Sequence, residues 1–326
     1  NGDTLIMNMR VDDQLKLRAN ARTSTALVSV DKARINETVI KRSDPIGLFD
    51  SGVGGLSVYL HLAQQLPAER YIYYADTLHV PYGNRDSCDI EALTLNAVEW
   101  LYQQGCKLIV IACNSASAYA LETARRCYPQ LIIVGLVPAL KPAVLASQTG
   151  RVAVLATKAT LNGSLLDEVI NSIATPNRTA VVKYFDPQLV PWVEAGMPEQ
   201  DETALRLRQQ LQSFANDGID QLVLGCTHYP FFKTFLLDEI VQQQLSIQIV
   251  DSGQAIAERV KQLLIVNELS ASIDSEVDES RLDIYNRTKV GNIFPLTFYA
   301  TKYDERLTVL VERLLGEDTV LQYYSK

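Results

Sequence analysis

The sequence predicts an α/β protein of two similar lobes, each with a mainly parallel sheet, facing a shared active-site cleft. Three observations carry this reading. From Ile46 onward, short apolar runs alternate with longer amphipathic stretches, the signature of βαβ units. Almost every apolar run ends in a small or polar loop: DSGVGG, ADTLHVPYGN, CNSAS, LATKAT, GCTHYP and DSGQ. In an open parallel sheet, ligands collect just beyond the carboxyl ends of the strands. Finally, FDSGVGG at 49–55 resembles VDSGQAI at 250–256, and IACNSAS at 111–117 resembles LGCTHYP at 224–230. Two echoes are too few for a repeat protein, but they fit two alike lobes on one cleft.

Taken in order, the first 44 or so residues are mixed in charge and rich in Thr, Ser and Arg, and read as an appendage with one short helix around Val11–Arg22. Strands are then expected at 46–49, 70–75, 107–112 and 131–135, and again at 151–156, 181–185, 221–225 and 247–250. Helical stretches lie between them, among them Leu56–Gln65, Ile90–Gln104 and Glu202–Ala215. The stretch 267–281 is acidic and Ser-rich and reads as a solvated insertion. After it, LTFYATKYDERLTVLVERLLG predicts a strand followed by an amphipathic terminal helix.

The whole chain narrows the function classes. At 326 residues it is long enough for two compact domains. Its 47% hydrophobic and 21% charged residues suit a globular protein with a real core. A net charge of −8 argues against a nucleic-acid surface, which needs clustered Lys and Arg. Five cysteines, an odd number without framework spacing, fit free thiols in a reducing compartment. No apolar run approaches the roughly 20 residues that span a bilayer, and charges interrupt the N-terminal stretch throughout. A cytoplasmic protein that leaves membranes and nucleic acids alone is therefore expected.

Cys113 follows KLIVIA and precedes Asn114 and Ser115; Cys226 follows QLVLG and precedes Thr227 and His228. A lone cysteine at a strand end is usually packing, since Cys behaves as a small hydrophobe. Two in matching contexts, each near a hydroxyl residue, shift that balance, whereas Cys88, Cys106 and Cys127 lack such loops and read as structural. A thiolate on one side of a carbon acid and a thiol on the other form a base–acid pair that inverts a stereocentre. A hydrolase needs one nucleophile only, with a base and an oxyanion hole. Asp50 and Ser51 open the first loop; Asp50 suits a helix cap, a metal ligand or a counter-ion for a substrate ammonium, capping being the commonest fate. Gly52, Gly54 and Gly55 allow a close approach to the backbone. GVGG lacks the Lys-Ser/Thr of a P-loop and the spacing of a dinucleotide fingerprint. Pro81, Tyr82 and Gly83 have the composition of a turn. The Cys226–His228 spacing matches no common zinc finger, and nothing around Lys107 or Lys141 resembles a pyridoxal site. No cofactor and no metal are expected.

Together these loops resemble the glutamate racemase family of the aspartate/glutamate racemase superfamily. The matching stretches are IGLFDSGVGGLSV (46–58), YADTLHVPYGNR (74–85), VIACNSASA (110–118), VGLVPALKPA (134–143), VAVLATKATLNG (152–163), LVLGCTHYPFF (222–232) and IVDSGQAIA (249–257). They keep the family's order and cover Ile46 to Leu264; the final strand and helix match more loosely. The resemblance implies that Cys113 and Cys226 are the two acid/base residues, the first working on D-glutamate and the second on L-glutamate. It implies that Asp50, Ser51, Tyr82, Gly83, Asn114, Ser115, Thr227 and His228 hold the substrate. Cofactor-independent supply of D-glutamate for peptidoglycan follows as the expected role. The implied division is an extension at 1–44, a first lobe of 45–136 with 248–326, and a second lobe of 137–247. Ser115 stands where the family most often has Thr, which keeps the hydroxyl. The N-terminal extension resembles the longer subclass activated by UDP-N-acetylmuramoyl-alanine. Rival readings are a racemase of another amino acid, chiefly aspartate; a thiol hydrolase built on Cys226 and His228; and a non-catalytic amino-acid-binding module.

Overall fold

The structure is a computed structural model that describes residues 40–271, 296–316 and 321–324, the last of these as backbone. The helix expected at Val11–Arg22 and all but the first residues of the 267–281 stretch lie outside them. Apolar runs that end in polar loops become strands, and Ile46–Asp50, Leu108–Ile111 and Gln221–Gly225 are buried at every position. Ile46–Asp50 (β1) leads through the DSGVGG loop to α1, Leu56–Gln65. Tyr71–Ala75 (β2) follows, then a 3-10 turn at Tyr82–Asn84 and α2, Ser87–Gln103. Leu108–Ile111 (β3) opens into α3, Asn114–Cys127, and Ile132–Gly135 is β4. Beyond α4, Leu140–Ala146, come β5, Arg151–Ala156, and the short helices α5, Lys158–Leu161, and α6, Ser164–Val169. Ala180–Tyr184 (β6) precedes α7, Leu189–Glu194, and α8, Glu202–Asn216. Gln221–Gly225 (β7) passes through a 3-10 turn at Tyr229–Phe232 into α9, Lys233–Gln242. The last described elements are β8, Gln248–Val250; α10, Gly253–Val266; β9, Leu296–Ala300; α11, Glu305–Leu315; and β10, Leu321–Tyr324.

Local chemistry sets the helix limits. In α8 the Asp201 side chain accepts the Thr203 N–H at 2.7 Å, and Thr203, Ala204, Leu207, Leu211 and Phe214 form one buried stripe. In α11 the Asp304 carboxylate accepts the Leu307 N–H at 2.9 Å, and Gly316 ends the helix with φ +84°.

The strands form two sheets, ordered β10-β9-β2-β1-β3-β4 and β6-β5-β7-β8, and every pairing is parallel. The α/β class with two parallel sheets is the one expected. In the first sheet, β2 is added on one side of β1 and β3 on the other; in the second, β6 and β7 flank β5 in the same way, so the winding switches between β1 and β3 and between β5 and β7. Such switch points open a crevice at the carboxyl ends of the strands. Asp50 is the last residue of β1, the loop after β3 carries Cys113, and the loop after β7 carries Cys226.

The echo between 111–117 and 224–230 thus matches equivalent positions, because β3 and β7 each flank the central strand of their sheet. The echo between 49–55 and 250–256 does not, because β1 is central whereas β8 is an edge strand. Its cause is local turn chemistry. Asp50 Oδ2 accepts the N–H of Gly52, and Asp251 Oδ1 that of Gly253, the same Asx-type turn in both loops.

A central core joins the two sheets through Leu48, Tyr73 and Val110 on one side and Leu155, Leu222 and Trp192 on the other. Further apolar clusters lie on the outer faces, around Ile109 and Ile111 beneath α2 and α3, and around Val152 and Val223 near α4. At the amino ends of the strands, Lys107 (0% exposed) pairs with Glu69 (3%) at 2.6 Å. Lys107 Nζ also donates to the carbonyls of Arg42 at 2.5 Å and Leu269 at 2.8 Å, and Glu69 accepts the N–H of Ala271 at 2.9 Å. Lys107 is therefore a tie between the chain before β1 and the end of α10. Among the described residues no helix is long and apolar enough to cross a membrane.

Candidate active site

Cys113, two residues beyond β3, is in extended backbone and serves as the N-cap of α3, its sulfur accepting the Ala116 N–H at 3.4 Å. Its sulfur lies 3.6 Å from Ser51 Oγ in the loop after β1. Asp50, at the end of β1, is wholly buried. Its Oδ2 accepts N–H groups from Gly52 at 3.2 Å and Gly55 at 3.1 Å, so it does cap its own loop. Its Oδ1 has no hydrogen-bond partner among the described residues and remains available. Burial raises the pKa of Asp50, opposed by the His228 charge and the two glycine N–H groups. Burial, and then the Asp50 charge, push the Cys113 thiol up to about 12 despite the Ala116 and Ser51 hydrogen bonds. Cys226 adds a smaller upward push, so the two thiols share one electrostatic neighbourhood.

Cys226 follows β7 and is also buried. Its sulfur lies 4.0 Å from His228 Nδ1, while His228 Nε2 lies 3.1 Å from Glu194 Oε1 at the end of α7. Burial alone drives the imidazolium toward deprotonation. Hydrogen bonds to Cys226 and Glu194, with their charges, more than reverse this and hold His228 up at about 10. Each thiol thus has an ionisable partner of its own, of opposite character.

Contacts between the sheets bring the loops together. A methyl added at Gly54 would fall on the His228 ring and within 2.5 Å of Thr227 Oγ1, so only glycine lets the first loop pass the second. Ser57 Oγ, in α1, donates to the Thr227 carbonyl at 2.8 Å. On the far side, Ser115 Oγ and Thr157 Oγ1 are 2.8 Å apart, and Gly83 packs against Thr157. Tyr82 is buried and donates to Asp76 Oδ2 at 2.6 Å, which fixes the Tyr82–Gly83 turn. Asn114 is buried with its Oδ1 unpartnered among the described residues. Two buried acceptors without partners, Asp50 Oδ1 and Asn114 Oδ1, suit a ligand that brings donors such as an ammonium.

Residues 46–260 match the Asp/Glu/Hydantoin racemase family. The chain belongs to that family. It is 48% identical to a glutamate racemase of Deinococcus radiodurans over 220 residues, 68% of this chain and 74% of the relative. The fold is similar to a solved glutamate racemase of Francisella tularensis in complex with D-glutamate, with TM-score 0.70 and 27% identity over 87% of this chain and 98% of that one. It is also similar to Escherichia coli glutamate racemase in complex with L-glutamate and activator UDP-MurNAc-ala, with TM-score 0.67 and 28% identity over 86% and 98%. The arrangement of two α/β lobes is that of these family structures.

Four residues beside the candidate site escape sequence reasoning: Glu194, Asp76, Thr157 and Tyr73, whose hydroxyl lies 3.4 Å from Asp50 Oδ2. Asp76 and Thr157 lie inside the polar loops read above, without a feature that separates them from turn and cap residues. Thr157 indeed caps α5, accepting the Thr160 N–H at 3.3 Å. Glu194 lies 34 residues before His228, in a helix of six residues with no motif of its own.

Proposed function

We propose that this chain is a glutamate racemase that moves the α-proton of glutamate between Cys113 and Cys226 without a cofactor. The observation that carries this reading is the pair of buried thiols at the two switch points, each beside its own ionisable partner. One face of the α-carbon meets Cys113 and the other Cys226. Proton removal on one face and delivery on the other inverts the centre. Cys113 rests protonated, its thiol pushed up by burial and then the Asp50 charge, and the His228 cation stands beside the Cys226 sulfur. L-glutamate uses Cys226 as base and Cys113 as acid, and D-glutamate uses the reverse roles. Asp50 serves the α-ammonium and the Cys113 proton. Ser51, Asn114, Ser115 and Thr227 supply donors for the two carboxylates, Tyr82 and Gly83 form the wall beside them, and His228 carries charge that balances the developing carbanion. The names of the relatives favour glutamate over aspartate.

The test is circular dichroism of L-glutamate with the protein in deuterium oxide, with a chelator present and no pyridoxal phosphate. Optical activity should be lost, and early in the reaction the new enantiomer should carry α-deuterium while remaining substrate carries almost none. Cys113→Ala and Cys226→Ala should each abolish racemization. Substantial early deuterium in unreacted substrate, or near-normal racemization by either variant, overturns the two-thiol mechanism.

Three companion readings belong with this one. The lobes divide near Gly135–Pro138, and because β8 pairs with β7, the return to the first lobe comes after Val250. The setting is the cytoplasm, where five free thiols persist and D-glutamate enters peptidoglycan synthesis. The N-terminal extension takes part in a response to UDP-N-acetylmuramoyl-alanine, an effector class supported by the E. coli relative. Removing residues 1–39, which spares the Arg42 carbonyl that holds Lys107, should change that response; an unchanged response ends the idea.

A further inference from the structure

The most informative buried group outside the proposed proton path is Tyr73. Along β2, Tyr71, Tyr73 and Ala75 are buried on one face, and Tyr73 pairs in register with Leu48 of β1. Its ring stacks on Phe298 of β9 at 5.2 Å and 10°, which fixes where the hydroxyl ends. That hydroxyl lies 3.4 Å from Asp50 Oδ2 and 3.2 Å from the Gly52 carbonyl. A methyl at Gly55 would sit 2.8 Å from the same oxygen, so the glycine makes room for it.

We propose that Tyr73 is a positioning residue for Asp50, its hydroxyl holding Oδ2 in place so that Oδ1 stays free for the reacting groups. This rests on the reading of Asp50 as a participant in the reaction. A phenol carries one proton and turns about its C–O bond, and here it has two acceptors within reach. With Asp50 ionised, the proton points to Oδ2. When Asp50 is protonated, the hydroxyl turns to the Gly52 carbonyl, so the Tyr73 O–H keeps an acceptor in either state. Burial, and then the charges of Asp50 and Cys113, raise Tyr73 well above an ordinary tyrosine, so it remains a donor throughout. The titratable groups facing Asp50 are His228 from the loop after β7, Cys113 from the start of α3 and Tyr73 itself. Of these, Tyr73 is the neutral donor on the oxygen turned into the fold.

The test is Tyr73→Phe, which removes one oxygen and leaves the ring on Phe298. Loss of a hydrogen bond to a charged group predicts a fall in kcat of roughly ten- to a hundredfold, with KM little changed. The sign of the pH effect is set. Asp50 acts ionised, so activity falls as pH drops through its pKa, and losing a donor to the ionised form raises that pKa. The acid limb should therefore move to higher pH. Ring-fluorinated tyrosine at position 73, a stronger donor of the same shape, should move it to lower pH. In the Asp50→Asn background, Tyr73→Phe should cost less than about twofold in kcat, because the two act as a unit. A wild-type kcat and acid limb in Tyr73→Phe overturns the proposal, as does an equal loss in both backgrounds. If Asp50→Asn alone retains full turnover, the role given to Asp50 falls first, by a separate measurement.

Discussion

Asp50 and His228 are both buried beside a thiol, yet their surroundings push them in opposite senses. Asp50 loses water and keeps one oxygen unpartnered, so it leans toward its protonated form. His228 loses water too, but Glu194 and Cys226 hold it as a cation up to about 10. A group raised in the folded state contributes stability fully below its unfolded value of about 6.5. That contribution is lost as pH rises through about 10. Glu194→Gln removes one of the two groups that hold the charge, so the alkaline limb of kcat should shift to lower pH. The melting temperature should also fall less between pH 7 and pH 10 than in the wild type, by about the loss of one hydrogen-bonded ion pair. An unmoved alkaline limb would show that Glu194 does not govern His228. The cysteines, Asp50 and His228 were legible in the sequence because each stands at the mouth of a strand within a recognisable loop. Glu194 was not, because its only signal is a partner 34 residues away.

Elements were easier to read than partners. The eight strands expected between 46 and 250 are all present, with ends within about a residue, because parallel strands buried on both faces read as continuous apolar runs. LQYY carries no strand signal of its own: β10 lies near the end of the chain, and among the described residues it pairs with β9 alone. The helix expected at Ile90–Gln104 begins earlier, at Ser87, since its first turn is polar and adds nothing to the apolar period. The short helices α4 to α7 are too brief for a period to register. The same local view hid how closely the first loop passes the second. Gly54→Ala places a methyl on the His228 ring, so kcat should fall by more than tenfold, while overpacking costs about 1–3 kcal/mol in stability. Steady-state kinetics and urea denaturation check this; wild-type values for both would mean the loops part without cost.

At the scale of the whole molecule, the two ends of the strands have different duties. The carboxyl ends carry the proposed chemistry, and the amino ends carry the buried Lys107–Glu69 pair with the Arg42 and Leu269 carbonyls. Removing one partner of a buried pair leaves a charge uncompensated, at a cost of about 3–5 kcal/mol. Lys107→Ala should therefore lower the urea midpoint markedly and leave kcat near the wild-type value at 25 °C. A large kcat loss with unchanged stability would reverse that division. The same polarity sorts the thiols. Cys88 and Cys127 are exposed, whereas Cys113 and Cys226 are 5% and 7% exposed in the two-sheet crevice. An alkylating reagent should therefore modify Cys113 and Cys226 more slowly than Cys88 and Cys127, and bound glutamate should slow the inner pair further. Each molecule thus carries its own reference: the outer thiols record reagent strength, and Cys106, buried away from the crevice, separates plain burial from shielding by a bound ligand.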